Sequence, residues 1–364
     1  MGRVPVLCGV TWSDRVEAME SPVGRMSLAH CRACAHVCNT AFDRRMLRYD
    51  ADYDNSLHHS ATFQSYEAAL ARYLAEEYEL HDRHVVELGC GKGDFLVELC
   101  RTADCRGTGY DRSYDGRFSD ARVTFVREYM AWDHAPEFDF FVARHVLEHF
   151  ADPFEFLDGL RFACDDRMVQ GYIEVPDAIY DFEGSGLDCV YPHVSYFSAT
   201  SLSRLAVRAG FAVLRLVRNF EGQFLGLEIG VNTDTPDEAP FSGMGLHRER
   251  EILATFGDRY RLFVNDWRSR LGAVGFERFG LWGAGAKGVA FLNAVDPDAR
   301  LGAVIDLNPW KWNRHLPVTG HLVHEPAAIA DVGLRHVIIT NPAYRQEIER
   351  ALSDLGVNAE ISLA

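Results

Sequence analysis

A chain of 364 residues with 37 basic and 53 acidic side chains carries a formal net charge of −16. That balance argues against a nucleic-acid partner, which needs basic surface against its phosphates, and no uninterrupted apolar run approaches the ~18 residues that span a bilayer. No charged start followed by an apolar stretch marks a signal peptide, and the nine cysteines read as free thiols or ligands rather than a disulfide framework, so the expectation is a cytoplasmic protein of two or three domains with no membrane partner.

Residues 1–55 form a cysteine-rich segment. Cys31-Arg32-Ala33-Cys34 is half of a structural zinc site, since each such knuckle offers two thiolates to a tetrahedral metal. The other half is incomplete: in Val4-Pro5-Val6-Leu7-Cys8-Gly9, Pro5 stands where a full knuckle would carry its first cysteine. Two readings stay open, zinc held by Cys8, Cys31, Cys34 and a fourth ligand such as Cys38 or His36, or a metal-free segment. Arg44, Arg45 and Arg48 read as a solvated helix face. Residues 49–56, followed by His58 and His59, have no clean period and are expected to be a loop, either a cover for a bound substrate or a solvated connection. A helix over residues 63–78 presents Phe63, Tyr66, Leu70, Tyr73 and Leu74 on one face.

An α/β unit spans residues 56–233. The apolar run His84-Val85-Val86 leads into Glu87-Leu88-Gly89-Cys90-Gly91-Lys92-Gly93 and then an amphipathic stretch, which reads as strand, tight turn and helix. The next strand ends in Asp111, about 20 residues past the glycines, where open α/β sheets hold an acceptor for a ribose diol. The spacing Gly-x-Gly-x-Gly differs from the dinucleotide fingerprint and resembles the cofactor motif of class I S-adenosylmethionine (SAM)-dependent methyltransferases. Gly89, Gly91, Gly93, Glu87 and Asp111 are therefore candidate cofactor contacts. The strand over residues 123–126 runs toward Glu128, either an adenine contact or a solvated carboxylate. The strand over residues 138–143 leads into Arg144-His145-Val146-Leu147-Glu148-His149. His145 and His149, four apart, would share a helix face and are read as cofactor or substrate contacts, with helix packing the alternative. A strand over 168–175, a helix over 201–209 and two antiparallel strands over 211–217 and 224–231 complete the unit.

Residues 232–245 are a linker rich in Pro, Gly, Asp and Thr. A third unit, residues 246–364, opens with a long helix whose stripe runs from Ile252 to Leu271. After the strand Phe279-Gly280-Leu281-Trp282, the turn Gly283-Ala284-Gly285-Ala286-Lys287-Gly288 matches the dinucleotide spacing. At roughly 85 residues the unit is short for a full dinucleotide-binding domain. The turn, with Lys287 beside it and Asn308 and Asn341 at later strand ends, is expected to hold a substrate nucleotide or pyrophosphate, with a structural turn the alternative. Trp310-Lys311-Trp312 is either core or a stacking surface.

The layout resembles a family of sugar C-methyltransferases acting on nucleotide-linked ketosugars. The resemblance rests on Cys31-x-x-Cys34, the turn from Glu87 to Gly93, Val146-Leu147-Glu148-His149, the stretch from Tyr191 through His193 to Phe197-Ser198, Gly222-Gln223 and the turn from Gly283 to Gly288. It implies an N-terminal cysteine-rich segment, a class I methyltransferase Rossmann-like domain and a smaller Rossmann-like domain acting on a small-molecule substrate. It further implies His193 as the base, with Tyr191 and His149 as catalytic partners. A proton alpha to a carbonyl must leave before carbon attacks a methyl group, and a histidine can take it. Pro192 stands where such enzymes often carry Glu, and His145 where Asn is common. Two alternatives remain: methyl transfer to N or O of a small natural product, and a SAM- or nucleotide-binding regulator without turnover.

Overall fold

The computed structural model describes residues 2–47, 57–165, 167–231 and 243–364. The expected loop at 49–56 and most of the expected linker lie outside these. The N-terminal segment contains β1 (Gly2–Pro5), α1 (Arg15–Met19), β2 (Val23–Met26), β3 (Leu28–His30) and β4 (Val37–Asn39). β1 and β2 pair antiparallel, as do β3 and β4.

The central unit follows with α2 (Ala61–Glu77), β5 (His84–Leu88), α3 (Asp94–Ala103), β6 (Arg106–Tyr110), β7 (Val123–Val126) and β8 (Phe140–Arg144). It continues through α4 (Pro153–Cys164), β9 (Val169–Pro176), α5 (Ala178–Glu183), β10 (Ser195–Tyr196), α6 (Ala199–Arg208), β11 (Ala212–Asn219) and β12 (Phe224–Val231). Seven of these strands form one sheet in the order β11-β12-β9-β8-β5-β6-β7. β5 pairs parallel with both β6 and β8, so the strand order reverses there, and β12 runs antiparallel to β9. Ligands of open α/β sheets lie beyond the carboxyl ends of the strands at such a reversal. Successive side chains alternate across the sheet. Val85 and Phe140 join Leu70, Leu74 and Leu96 of α2 and α3, while Val86 and Phe141 join Leu157 and Leu202 of α4 and α6. Burial on both faces is why these strands read as nearly continuous apolar runs.

The C-terminal unit contains α7 (Gly243–Val274), β13 (Phe279–Trp282), α8 (Ala286–Val295), β14 (Ala303–Ile305) and β15 (Val323–His324), then α9 (Ile329–Val332), β16 (His336–Ile339), α10 (Arg345–Asp354) and β17 (Glu360–Leu363). Its five strands are all parallel in the order β15-β14-β13-β16-β17, which puts a second reversal at β13. The class is α/β, with a seven-stranded Rossmann-like sheet and a smaller, five-stranded Rossmann-like one.

The N-terminal segment is stitched to both units. β4 pairs with β10, Ser195 opposite Cys38, and Arg314 donates to the Thr11 carbonyl at 2.6 Å.

Candidate active site

The first glycine turn stands at the carboxyl end of β5. Gly89, Gly91 and Gly93 all have positive φ, at 70°, 54° and 90°. A Cβ on Gly89 would lie 2.3 Å from Val146 Cγ2 and one on Gly93 2.5 Å from Phe125 Cζ, but one on Gly91 would meet nothing within 4 Å. Two glycines thus let the turn pack, and the middle one leaves it open. Asp111, just past β6, accepts from the Gly91 amide at 2.8 Å through Oδ2 and from the Ser113 amide at 2.7 Å through Oδ1. The Ser113 hydroxyl also donates to Oδ1, at 2.8 Å, and since a carboxylate has about four acceptor positions, Asp111 steadies the turn with about one left, on Oδ2.

Beneath the turn lies a buried charge network that sequence reasoning missed. Arg144, at the end of β8, donates from Nη1 to Glu67 at 2.8 Å and from Nε to Glu174 at 3.0 Å, with its guanidinium 4.3 Å from the Phe95 ring centre. The hydroxyls of Tyr66 and Tyr172 donate to Glu174. Two buried polar atoms here have no hydrogen-bond partner, Arg144 Nη2 and Glu87 Oε2. Burial pushes the Glu87 carboxyl up to about 8 against the pull of Arg144. A charged residue ending an apolar strand was the only signal of Arg144, and its partners are far away in sequence.

His145 and His149 do not share a helix face. His145 takes a left-handed backbone, φ 54°, and the chain then makes a 3-10 turn from Leu147 to His149. His145 turns toward Glu174, with Nε2 3.3 Å from Oε1, and Glu148, with Nδ1 3.7 Å from Oε1. Burial alone would lower its pKa, but these carboxylates outweigh it and raise it to about 9. His149 places Nδ1 2.9 Å from the Pro192 carbonyl, and His193 places Nδ1 3.1 Å from the Asp188 carbonyl. The two rings are 5.1 Å apart and inclined at 72°. Burial, with His149 alongside, pushes His193 down to about 4.

At the second turn, the Ala284 amide donates to Asp306 Oδ2 at 2.7 Å, the same arrangement that Gly91 and Asp111 make in the first unit. A Cβ on Gly283 or Gly285 would meet nothing within 4 Å, whereas one on Gly288 would lie 2.0 Å from the Gly283 carbonyl. Lys287 is 3.1 Å from Asp188 and donates to Gln223 at 3.0 Å, and Gln223 donates to Asn341 at 2.8 Å. Asn308 and Asn341 each cap a 3-10 turn through Oδ1.

A single cleft of about 1370 Å³ joins these parts, running from Gly91 and Asp111 past His145, His149 and His193 to Gly283, Lys287, Asn308 and Asn341. Four expectations fall outside it, the first being Gly93, which packs against Phe125. Glu128 is exposed beyond β7 and does not line the cleft, where its neighbours Tyr129 and Met130 do. Tyr191 is fully buried against Gly24 and Phe42, and its hydroxyl accepts from the Asp43 amide at 2.8 Å. It props the N-terminal segment and does not line the cleft. Of the four cysteines proposed as metal ligands, Cys31 and Cys34 meet side chain to side chain with Cys38 in electrostatic reach of Cys31, but Cys8 does not join them. Cys8 sits in an apolar cluster with Leu187 and Trp267, its Sγ 3.8 Å from the Pro5 carbonyl, and burial pushes its thiol up to about 12. Cys31 is exposed and Cys34 and Cys38 are partly buried. Among the described residues, no three groups of this segment come close enough to share an ion.

Residues 58–216 match the family model of a methyltransferase domain. No curated protein sequence matches the chain. Among solved structures, the chain is similar to the 1,6-didemethyltoxoflavin-N1-methyltransferase of Burkholderia thailandensis, at 15% identity over 54% of this chain and 96% of that one, TM-score 0.38. It is similar to human N-acetylserotonin methyltransferase, at 17% identity over 46% and 56%, TM-score 0.37. It is similar also to a SAM-dependent methyltransferase of Aquifex aeolicus, at 14% identity over 48% and 100%, TM-score 0.36. Residues 58–216 form a methyltransferase domain, a unit that takes SAM as its cofactor. Among the described residues no helix is long and apolar enough to cross a membrane.

Proposed function

We propose that this enzyme transfers the SAM methyl group to a carbon alpha to a carbonyl, in an acceptor of the nucleotide-linked ketosugar class. The observation that carries the reading is the cleft itself: two open glycine turns, one in each α/β unit, face one space with His149 and His193 between them. A two-ended acceptor with a phosphate and a reactive carbonyl suits such a space.

The residues at the first turn suit the donor. Asp111 is offered to the ribose diol, the open side of Gly91 to the body of the molecule, and the unpartnered Arg144 Nη2 and Glu87 Oε2 to its carboxylate and ammonium groups. When bound, SAM supplies an electrophilic methyl on a sulfonium. The open side of the turn at Gly283 and Gly285 would take the acceptor's phosphate, with Lys287 moving from Asp188 to meet it. Holding both reactants in line supplies much of the rate enhancement.

The His149–His193 pair assists loss of the alpha proton. A neutral His193 is in the accepting form at pH 7, but an imidazole held at about 4 is a weak base, so the acceptor carbonyl needs electrophilic help as well. Incubation with methyl-labelled SAM and a set of nucleotide sugars and small ketones, with the methyl located by NMR, tests the reading. A new carbon–carbon bond is expected. A product methylated on nitrogen or oxygen would overturn it. The Lys287→Ala enzyme is expected to raise the KM for a phosphate-bearing acceptor at least tenfold and to leave the SAM affinity unchanged by calorimetry.

A further inference from the structure

Glu148, His149 and His193 meet at the acceptor end of the cleft, and one ligand atom from each lies within 4.8 Å of the others. They reach this point from two separate stretches, the 3-10 turn after β8 and the loop before β10. Glu148 is 2% exposed, and neither of its carboxylate oxygens has a hydrogen-bond partner. The nitrogen of His145 nearest to it is 3.7 Å away and also serves a ring that faces Glu174. The His145 ring faces one carboxylate oxygen but is too far to hydrogen-bond to it, so this buried carboxylate still lacks the donors that burial demands. Such a group calls for an explanation, and a cation supplies one.

The two histidines are mounted as metal ligands are. Each sets Nδ1 against a backbone carbonyl, Pro192 for His149 and Asp188 for His193. A contact of this kind fixes the ring's orientation and favours the tautomer with its lone pair on the other nitrogen, here assigned from the hydrogen-bond network. Two imidazoles and one carboxylate with remaining positions open make a donor set for a divalent first-row transition metal. All three residues line the cleft, so the open positions would face the acceptor.

We propose that Glu148, His149 and His193 bind a divalent transition-metal cation of the zinc, manganese or iron(II) class at the acceptor end of the cleft. The cation draws charge from the acceptor carbonyl oxygen, and that is the electrophilic help the enolate requires. Water bound to zinc in a protein site can ionise near neutral pH. The resulting hydroxide takes the alpha proton and becomes water, the C–H electron pair becomes the enolate's, and the carbon then accepts the methyl while the sulfur keeps the pair from its broken bond. The His149–His193 pair thus assists loss of the alpha proton by holding the cation, and His193 is a ligand in place of the direct base that the resemblance implies. The cation site itself does not depend on which acceptor atom is methylated, so a heteroatom product would overturn the acceptor reading and leave the site standing.

The test uses the full-length protein, stripped with a chelator and titrated with Zn2+ or Co2+ by calorimetry and visible absorption. The Cys31→Ser/Cys34→Ser protein, treated in the same way, separates any thiol-bound metal. One cation per chain is expected in that background, with affinity lowered at least tenfold by Glu148→Gln and by His193→Ala, and with SAM affinity retained. Stripped enzyme should lose turnover and recover it with added metal. Absence of binding, or binding that survives both substitutions, would overturn the proposal. If Glu148→Gln fails to fold, His193→Ala, on the cleft wall, carries the same test.

Discussion

Glu87 shows how one residue can serve a site at a stability cost. It is buried beside the donor turn, one carboxyl oxygen has no partner, and its pKa is raised from 4.5 to about 8. The sign follows from proton counting. Between pH 4.5 and 8 the folded protein holds this proton and the unfolded chain has lost it, so stability falls as pH rises through that window. The slope is at most about 1.4 kcal/mol per pH unit for one proton. Glu87→Gln cannot ionise, and denaturant unfolding of the SAM-free protein should show it more stable than wild type at pH 8, by roughly 2–4 kcal/mol, with a flatter pH profile from 5.5 to 8. An unchanged profile would mean that water reaches the carboxylate. The position of Glu87 was readable in the sequence because it precedes a spaced glycine motif. Arg144 and Glu148 were not singled out, because a lone charge beside an apolar run carries no sign of the partners that bury it.

At the scale of elements, the two α/β units use one device twice. A strand-end aspartate accepts from an amide of its own unit's glycine turn, Asp111 from Gly91 and Asp306 from Ala284. The turns were legible because glycine spacing, apolar strands and helical stripes have short periods. The stretch from His145 to His149 was not, since four-residue spacing implies a shared face only on a helix, and here a left-handed residue and a 3-10 turn replace it. The incomplete knuckle misled in another way: Cys8 packs into the core instead of pointing at Cys31. The glycines now separate two effects. Gly91→Ala adds a Cβ in open cleft space at φ 54°, so it should cost about 1 kcal/mol of stability and weaken SAM at least tenfold by calorimetry. Gly288→Ala sets a Cβ against the Gly283 carbonyl and should lower the melting temperature while SAM affinity holds.

The whole molecule is held across its cleft by contacts that no local pattern announces. Ser60 begins α2 in the methyltransferase unit, and its Oγ donates at 2.5 Å to Glu347 on α10 of the C-terminal unit. The same carboxylate accepts from the Ala61 and Thr62 amides at 3.1 and 3.3 Å. A negative charge on the first turn of a helix satisfies orphan amides and favours the dipole. α2 in turn carries Glu67, which holds Arg144 beside the donor turn. The contact therefore ties the C-terminal unit to the first glycine turn through one helix, over a sequence separation of 287 residues. Sequence periodicity locates each helix but names no partner at that range. A double-mutant cycle measures the tie. Ser60→Ala and Glu347→Ala should each lower unfolding stability by about 0.5–2 kcal/mol, as cap losses do. Because they remove the same contact, the double variant should lose less than the sum, with a coupling of about 0.5 kcal/mol or more. Strict additivity would show that the two units are not joined at this helix in solution.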